Sequence, residues 1–503
     1  MHSVLTDPTF TVELKSGEQA KCSLAKVYEK LAADEVTSFT HLQAFQVQGW
    51  HTFLAQLAAM AVEQHGEAVP STAAQWEDLL QQMGPPEMWN IETEDLSKPA
   101  FCQAPVLDAD SIEPGRRADV WAKNILVTSK SHKSKNAVLH NPNQEHYLYW
   151  AVNLHQHAQY SGPGYAKTSR LNGGYANRGF LGVTPSLSFG AWVMHDVQVL
   201  LDAYEDVSYE YSFTDAVGSQ PAYHPEECVL WLIPRPSDSN YYTNYHPYFL
   251  DGPRRIRRCE GTWYELSTPD NEGPSYSTDK VGITGDPWAP ISREGKQKVM
   301  NAGQKEKGYK RLAQMLTSDD WERPPIFTSD ATEGYIVLRF VGGGPNNRAH
   351  LVERIIPYAF ESAQSVTALL NSEIESEATP AKDKTKQRLQ LSERAESGLK
   401  QVFYHLYSRT LDGSTEYSKS AQALNRQAKQ RLHRQIDSVF FEELYTSSRS
   451  KEADRAYFLS LLRPIFKEVT DQMISGPMTS QAWKRKAGAQ DKQSLYINHY
   501  LAD

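Results

Sequence analysis

Of the 29 glycines in this 503-residue chain, only Gly398, Gly413, Gly476 and Gly488 lie beyond Phe360. Glycine inside a helix or strand costs about 0.5–1 kcal/mol relative to alanine. A long stretch nearly free of it can therefore sustain long helices. Helical periodicity covers residues 359–377, 384–409, 419–446, 451–475 and 480–500, with polar breaks at Leu411-Asp412-Gly413-Ser414 and Ser447-Ser448-Arg449-Ser450. That is the pattern of an antiparallel helix bundle. Upstream, short apolar segments alternate with clusters of Gly, Pro, Asn and Asp, the form of an irregular mixed domain. The expected fold class is α+β. Residues 1–360 form a large irregular N-terminal domain, and residues 361–503 an all-α bundle of the four-helix type. A chain this long exceeds what one core usually serves.

Local signals place several elements. Phe10–Leu14 alternates as a strand, and Ser23 is an expected N-cap for a helix over Leu24–Leu31. Phe45, Trp50, Phe53, Leu54, Leu57 and Ala61 recur at helical spacing within a helix expected over Leu42–Gln64. Cys228–Pro234 and Tyr335–Phe340 read as strands, and Ala191–Ala203 as a helix.

Charge and cysteine usage narrow the function. The net charge is −9, whereas a protein that coats nucleic acid unaided is usually basic. Any nucleic-acid contact is expected to be local, or shared with subunits that neutralise most of the phosphates. Cys22, Cys102, Cys228 and Cys259 lack the paired spacing of a zinc knuckle and fit free thiols in a reducing cytosol. No signal peptide is evident, and the apolar run Phe53–Val62 is too short to span a bilayer. A cytoplasmic protein without membrane contact is expected.

Two glycine-bearing loops carry the chemistry. The first contains Gly162, Gly164, Tyr165, Lys167, Arg170, Asn172, Asn177 and Arg178; the second is Gly342-Gly343-Gly344-Pro345-Asn346-Asn347-Arg348. Glycine lets backbone approach a ligand closely, and Asn and Arg donate to base edges and phosphates. Tight turns that need glycine are an equal reading. The first loop lacks the glycine spacing of a dinucleotide fingerprint, and Gly342-Gly343-Gly344 lacks the Lys-Ser/Thr ending of a P-loop. A third segment, with Lys130, Lys133, Lys135 and Asn136, is either a phosphate-neutralising loop or a solvated one. Arg254–Arg258 and the trio Lys429, Arg431 and Arg434 are likewise open between nucleic-acid contact and ordinary ion pairing or solvation.

For catalysis the sequence offers no zinc-hydrolase pattern and no Gly-x-Ser-x-Gly elbow. His195-Asp196 is an isolated pair. No catalytic residue is assigned, and the expectation is a non-enzyme. Two other readings stand beside it: a helical scaffold that binds proteins without reading DNA, and an enzyme with a site near His195 and Asp196.

Taken in order, these segments resemble the CasA family, the large subunit of the type I-E CRISPR surveillance complex, Cascade. The resemblance rests on Cys22-Ser23-Leu24 after the opening strand, the basic loop Lys130–Asn136, and Ser169-Arg170-Leu171-Asn172-Gly173-Gly174-Tyr175 with Phe180–Pro185. It also rests on Gly342–Arg354 leading into a helical tail. It implies a non-catalytic subunit that reads the protospacer-adjacent motif (PAM) of double-stranded DNA from the minor groove. Such a subunit helps start strand separation and recruits a helicase-nuclease. Its implied partners are the crRNA-containing backbone subunits, the small subunits and the subunit at the crRNA 5′ end. The family's glycine loop maps onto Gly162–Tyr165. Its strand-splitting Asn-Gln wedge maps onto Asn347 and Arg348, with Arg replacing Gln. Lys280 is the candidate for its groove-entering lysine, and Lys130–Asn136 for its contact with DNA and crRNA. Some members hold zinc with four cysteines; these cysteines do not match, so neither metal nor cofactor is expected.

Overall fold

The computed structural model describes residues 2–66, 68–106, 142–157, 179–204, 228–232, 246, 248, 250, 256–265, 287–292, 308–317, 320–329, 331–343, 349–360, 380–407, 419–475 and 482–502. The chain forms two compact units. One comprises Met1–Gln304, Asp320–Ser329 and Gly334–Ile355; the other comprises Lys305–Asp319, Asp330–Glu333 and Ile356–Asp503. Lys305–Asp319 thus groups with Ile356–Asp503.

The chain opens with β1 (Phe10–Leu14), β2 (Gln19–Cys22), α1 (Leu24–Ala32), β3 (Val36–Phe39), α2 (Val47–His65) and α3 (Ala73–Gln81). Next come α4 (Gln144–His157), β4 (Gly179–Thr184), α5 (Phe189–Asp202), β5 (Ile256–Cys259), β6 (Thr262–Glu265), β7 (Ile291–Ser292) and α6 (Gly308–Thr317). Then follow β8 (Trp321–Glu322), β9 (Glu333–Gly343), β10 (Ala349–Ala359), α7 (Pro380–Tyr407), α8 (Lys419–Val439), α9 (Lys451–Ile474) and α10 (Ala482–Leu495). Two three-stranded sheets have the orders β2-β1-β3 and β10-β9-β4, and β5-β6 and β7-β8 are two-stranded.

In the first unit α2 is the core. From Gln48 to Val62 it is buried on every face, as a helix apolar nearly all round must be. Trp50 packs against Phe10, Phe39, Phe53 and Tyr149. Ser23 caps α1 by accepting from the Lys26 amide at 3.2 Å, which satisfies one of the helix's orphan donors. Asp34 caps α5 from a distance in sequence: its Oδ1 accepts from Ser188 Oγ and from the Ala191 amide. That bond fixes the start of the helix that carries Trp192, His195 and Asp196.

In the second unit α7 packs on α6, α8, α9 and α10. Arg388 of α7 is fully buried. It forks onto Asp454 at 2.9 and 2.5 Å and donates to the Phe440 and Glu442 carbonyls at 2.7 and 3.0 Å. One guanidinium thus satisfies the C-terminus of α8 and pairs with the first turn of α9. Gly398, one of the four late glycines, is a close crossing. A Cβ there would lie 2.6 Å from the Tyr496 ring and 2.9 Å from Phe466.

Several expectations need correcting. Of the strand expected over Cys228–Pro234, the described part, Cys228–Leu232, is not a strand. Leu230–Leu232 is a 3-10 turn that buries Trp231 against Phe53 and Phe101, and an apolar run that short does not distinguish the two. The helix expected over 359–377 does not begin at 359, because β10 continues to Ala359; residues 361–379 lie outside the described residues. The helix expected to reach 446 ends at Val439, where Arg388 takes the released carbonyls.

Candidate nucleic-acid interface

The sheet β10-β9-β4 decides where both glycine loops must emerge. β4 and β9 are antiparallel, with Gly179 opposite Phe340, Leu181 opposite Leu338 and Thr184 opposite Tyr335. Gly179 is the first strand residue after the first loop. From Phe340, β9 runs three residues further to Gly343, and the chain returns at Ala349 into β10. At about 3.3 Å per residue and about 4.8 Å between strands, the exits lie within about 10–15 Å of one another at one end of one sheet. Stems that lie about 170 residues apart in sequence therefore meet at one end of the sheet.

The other foot of the first loop stands nearby. At the end of α4, Gln156 accepts from Thr52 Oγ1 at 3.3 Å, and His155 bonds the Cys102 carbonyl at 2.8 Å. On β4, Phe180 packs edge-on against His51 at 5.5 Å. Both feet thus rest on adjacent residues of α2. The start of α4 is pinned by Glu145, which accepts from the Thr11 amide at 2.7 Å, Thr11 Oγ1 at 2.9 Å and Tyr149 Oη at 2.9 Å. This anchor follows the segment that holds Lys130–Asn136.

A third segment converges on β4. The Leu181 amide donates to the Trp288 carbonyl at 2.9 Å, which covers the free edge of the sheet. Trp288 stacks on Phe180 with ring centroids 6.1 Å apart. It lies eight residues after Lys280.

Beneath these feet lies a fully buried carboxylate. Asp196 is bonded by His51 Nε2 at 2.6 Å, Trp288 Nε1 at 2.8 Å and His195 Nδ1 at 3.2 Å. Burial works against its ionisation; His51 and His195 outweigh it and hold the carboxyl below its ordinary range. Burial lowers the His51 pKa against the pull of Asp196, which favours the neutral ring donating from Nε2. Its Nδ1 has no partner, as suits an unprotonated ring nitrogen. Asp196 therefore ties α2, α5 and the Trp288 segment together. This partnership accounts for the His195-Asp196 pair singled out in the sequence.

Every assigned contact residue — Lys130, Lys133, Lys135, Asn136, Gly162, Gly164, Tyr165, Lys167, Asn172, Lys280, Asn346, Asn347 and Arg348 — lies outside the described residues. What the fold supplies is the anchorage of their segments. The other basic clusters resolve differently. Arg257 is fully buried and donates to the carbonyls of Lys98, Asp95 and Ala104 and to Thr93. It holds a loop by its backbone, which is neither of the two roles the sequence left open. Arg258 faces Glu92 at 3.3 Å. Lys429 pairs with Glu396 at 2.6 Å and Arg431 with Glu468 at 2.9 Å, while Arg434 is exposed. Among the described residues no cluster of three His, Cys, Asp or Glu could hold a metal ion, and no helix is long and apolar enough to cross a membrane.

No family model and no curated protein matches the chain. Solved structures do. Cse1 of Thermobifida fusca superimposes with a TM-score of 0.67 over 100% of this chain and 99% of its own, at 13% identity. The chain has the CasA (Cse1) fold. CasA of Thermus thermophilus matches at TM-score 0.62 and 14% identity over 99% of each chain. A chain of a "CRISPR RNA-guided surveillance complex" matches at 0.53 and 11%, again over 99% of each. The CasA match runs through both the mixed unit and the helical unit.

Proposed function

We propose that this protein is the CasA-type large subunit of a crRNA-guided type I-E surveillance complex and acts without catalysing a reaction itself. The observation that carries the reading is the register of β4 on β9, which brings the stems of both glycine loops to one sheet end within a whole-chain CasA fold. Gly162, Gly164 and Tyr165 would bring backbone into the minor groove, with Lys167 and Asn172 beside them. That groove offers a degenerate code, which suits close backbone approach better than forked side chains. Asn346, Asn347 and Arg348 would part the first base pairs, and Lys280 would enter the groove from the Trp288 segment. Lys130, Lys133, Lys135 and Asn136 would meet DNA and the crRNA 5′ end. Opening costs a few kcal/mol, which the wedge and crRNA pairing offset. The partners are the crRNA-bearing backbone and small subunits, the subunit at the crRNA 5′ end, the target duplex, and a helicase-nuclease that arrives after strand exchange. The acidic body fits such an assembly, with neighbours neutralising most of the phosphates.

The test is binding of target duplexes with matched and altered PAM by the reconstituted complex. Wild type is expected to discriminate between them, and Gly162→Asp combined with Asn347→Ala to lose that discrimination. Unchanged discrimination in the double variant removes the site assignment. Absence of discrimination in wild type leaves the scaffold reading.

A further inference from the structure

We infer that Arg339 is a positioning residue that sets the second glycine loop against the first; this rests on the DNA-reading function proposed above. Arg339 lies on β9 opposite Phe180 of β4, one residue into the strand that leaves the first loop. Its Nε donates to Glu353 of β10. Arg339 stands four residues before Gly343, where β9 ends, and Glu353 four residues after Ala349, where β10 begins. The ion pair thus ties the two arms of the hairpin at equal depth below the loop.

The tie is also keyed to the body of the unit. The Arg339 guanidinium lies over the Trp192 ring, 4.6 Å from its centroid. Trp192 packs edge-on against Phe180 at 5.5 Å and, with the rings tilted, against His51 at 4.6 Å. A single side chain therefore touches the hairpin partner and Trp192, which in turn packs on Phe180 at the foot of the first loop and on His51 of the Asp196 cluster. Its side chain is only 13% exposed, where cation–π and ionic contacts are stronger than in water.

The location explains the need. Above Arg339 come Gly342, Gly343 and Gly344, which weaken strand pairing and specify register poorly. A slip of one residue would reverse every side chain presented by the tip. A cross-strand pair just below the glycines, locked onto a buried tryptophan, prevents that slip.

Arg339→Met tests this in the reconstituted complex. Base-pair opening is read by 2-aminopurine placed beside the PAM, on an intact duplex and on a bubble already opened at those positions. Opening of the intact duplex is expected to fall about tenfold, equivalent to about 1.4 kcal/mol, with bubble binding unchanged. Arg339→Lys, which keeps the charge over Trp192, is expected to restore most of the loss. Equal losses on duplex and bubble, or no loss on the duplex, overturn the inference. A wild-type complex that opens no duplex overturns the DNA reading and this inference with it. Wild-type opening that survives Arg339→Met overturns this inference alone.

Discussion

Asp196→Ala is the perturbation that the fold answers most clearly. The carboxylate is fully buried and accepts from His51 Nε2 at 2.6 Å and Trp288 Nε1 at 2.8 Å. Alanine removes the carboxylate that both buried donors bond. Each bond lost to a buried donor costs about 1–3 kcal/mol, so the loss is about 2–6 kcal/mol. That is a large part of the roughly 5–15 kcal/mol that holds a folded domain. Ten of the eleven tryptophans, all but Trp483, fall in the first unit, so urea unfolding followed by tryptophan fluorescence reports mainly on it. At an m-value of about 3 kcal/mol per molar, the midpoint should drop by about 1–2 M. His195→Ala is the control. His195 meets Asp196 only at 3.2 Å and keeps some exposure, and its loss should cost less than about 1 kcal/mol. If Asp196→Ala shifts the midpoint no further than His195→Ala, Asp196 is not the tie described.

Arg388→Met should destabilise the helical unit by about 3–5 kcal/mol, because Asp454 is left buried and unpaired; helical circular dichroism during melting reads this. Replacing both residues, as Arg388→Met with Asp454→Leu, should recover much of the loss. The first unit should lose stability on acidification. Burial holds His51 below its ordinary value of 6.5, so below about pH 6.5 the unfolded chain takes up a proton that the folded chain refuses. The slope from this residue is at most about 1.4 kcal/mol per pH unit, with stability present above that range and lost beneath it. The lowered Asp196 pKa acts in the same direction at more acidic pH. Melting temperatures that stay flat from pH 7.5 to 5.5 would contradict this.

The features legible in the sequence were local ones. The Ser23 cap, β1 and the helical spacing of the apolar residues in α2 follow from neighbours within a turn or a pleat. The glycine-poor tail announced its helices because glycine is costly inside them. What could not be read depends on partners far away in the chain. His51 and Asp196 are separated by 145 positions, and nothing near either announces the other. His51 sits one place beyond Trp50 in an apolar helix, and only a helix buried on all faces makes its polarity informative. Arg257 stayed open between phosphate binding and ion pairing because carbonyls from residues 95 to 104 carry no sequence signature. The end of α8 depends on Arg388 of another helix. Even the nearness of the two loops' stems needed the β4–β9 register, although the loop sequences themselves were plain.

If the two loops act on one duplex as a unit, as proposed, a double-mutant cycle detects their coupling. Gly162→Asp, Asn347→Ala and their combination would be compared for PAM-dependent duplex binding by the reconstituted complex. Loops that stand at one sheet end and grip the same base pairs should couple, with the double variant departing from additivity by about 0.5–3 kcal/mol. Effects that add to within about 0.5 kcal/mol would mean two independent loops, and would contradict the account.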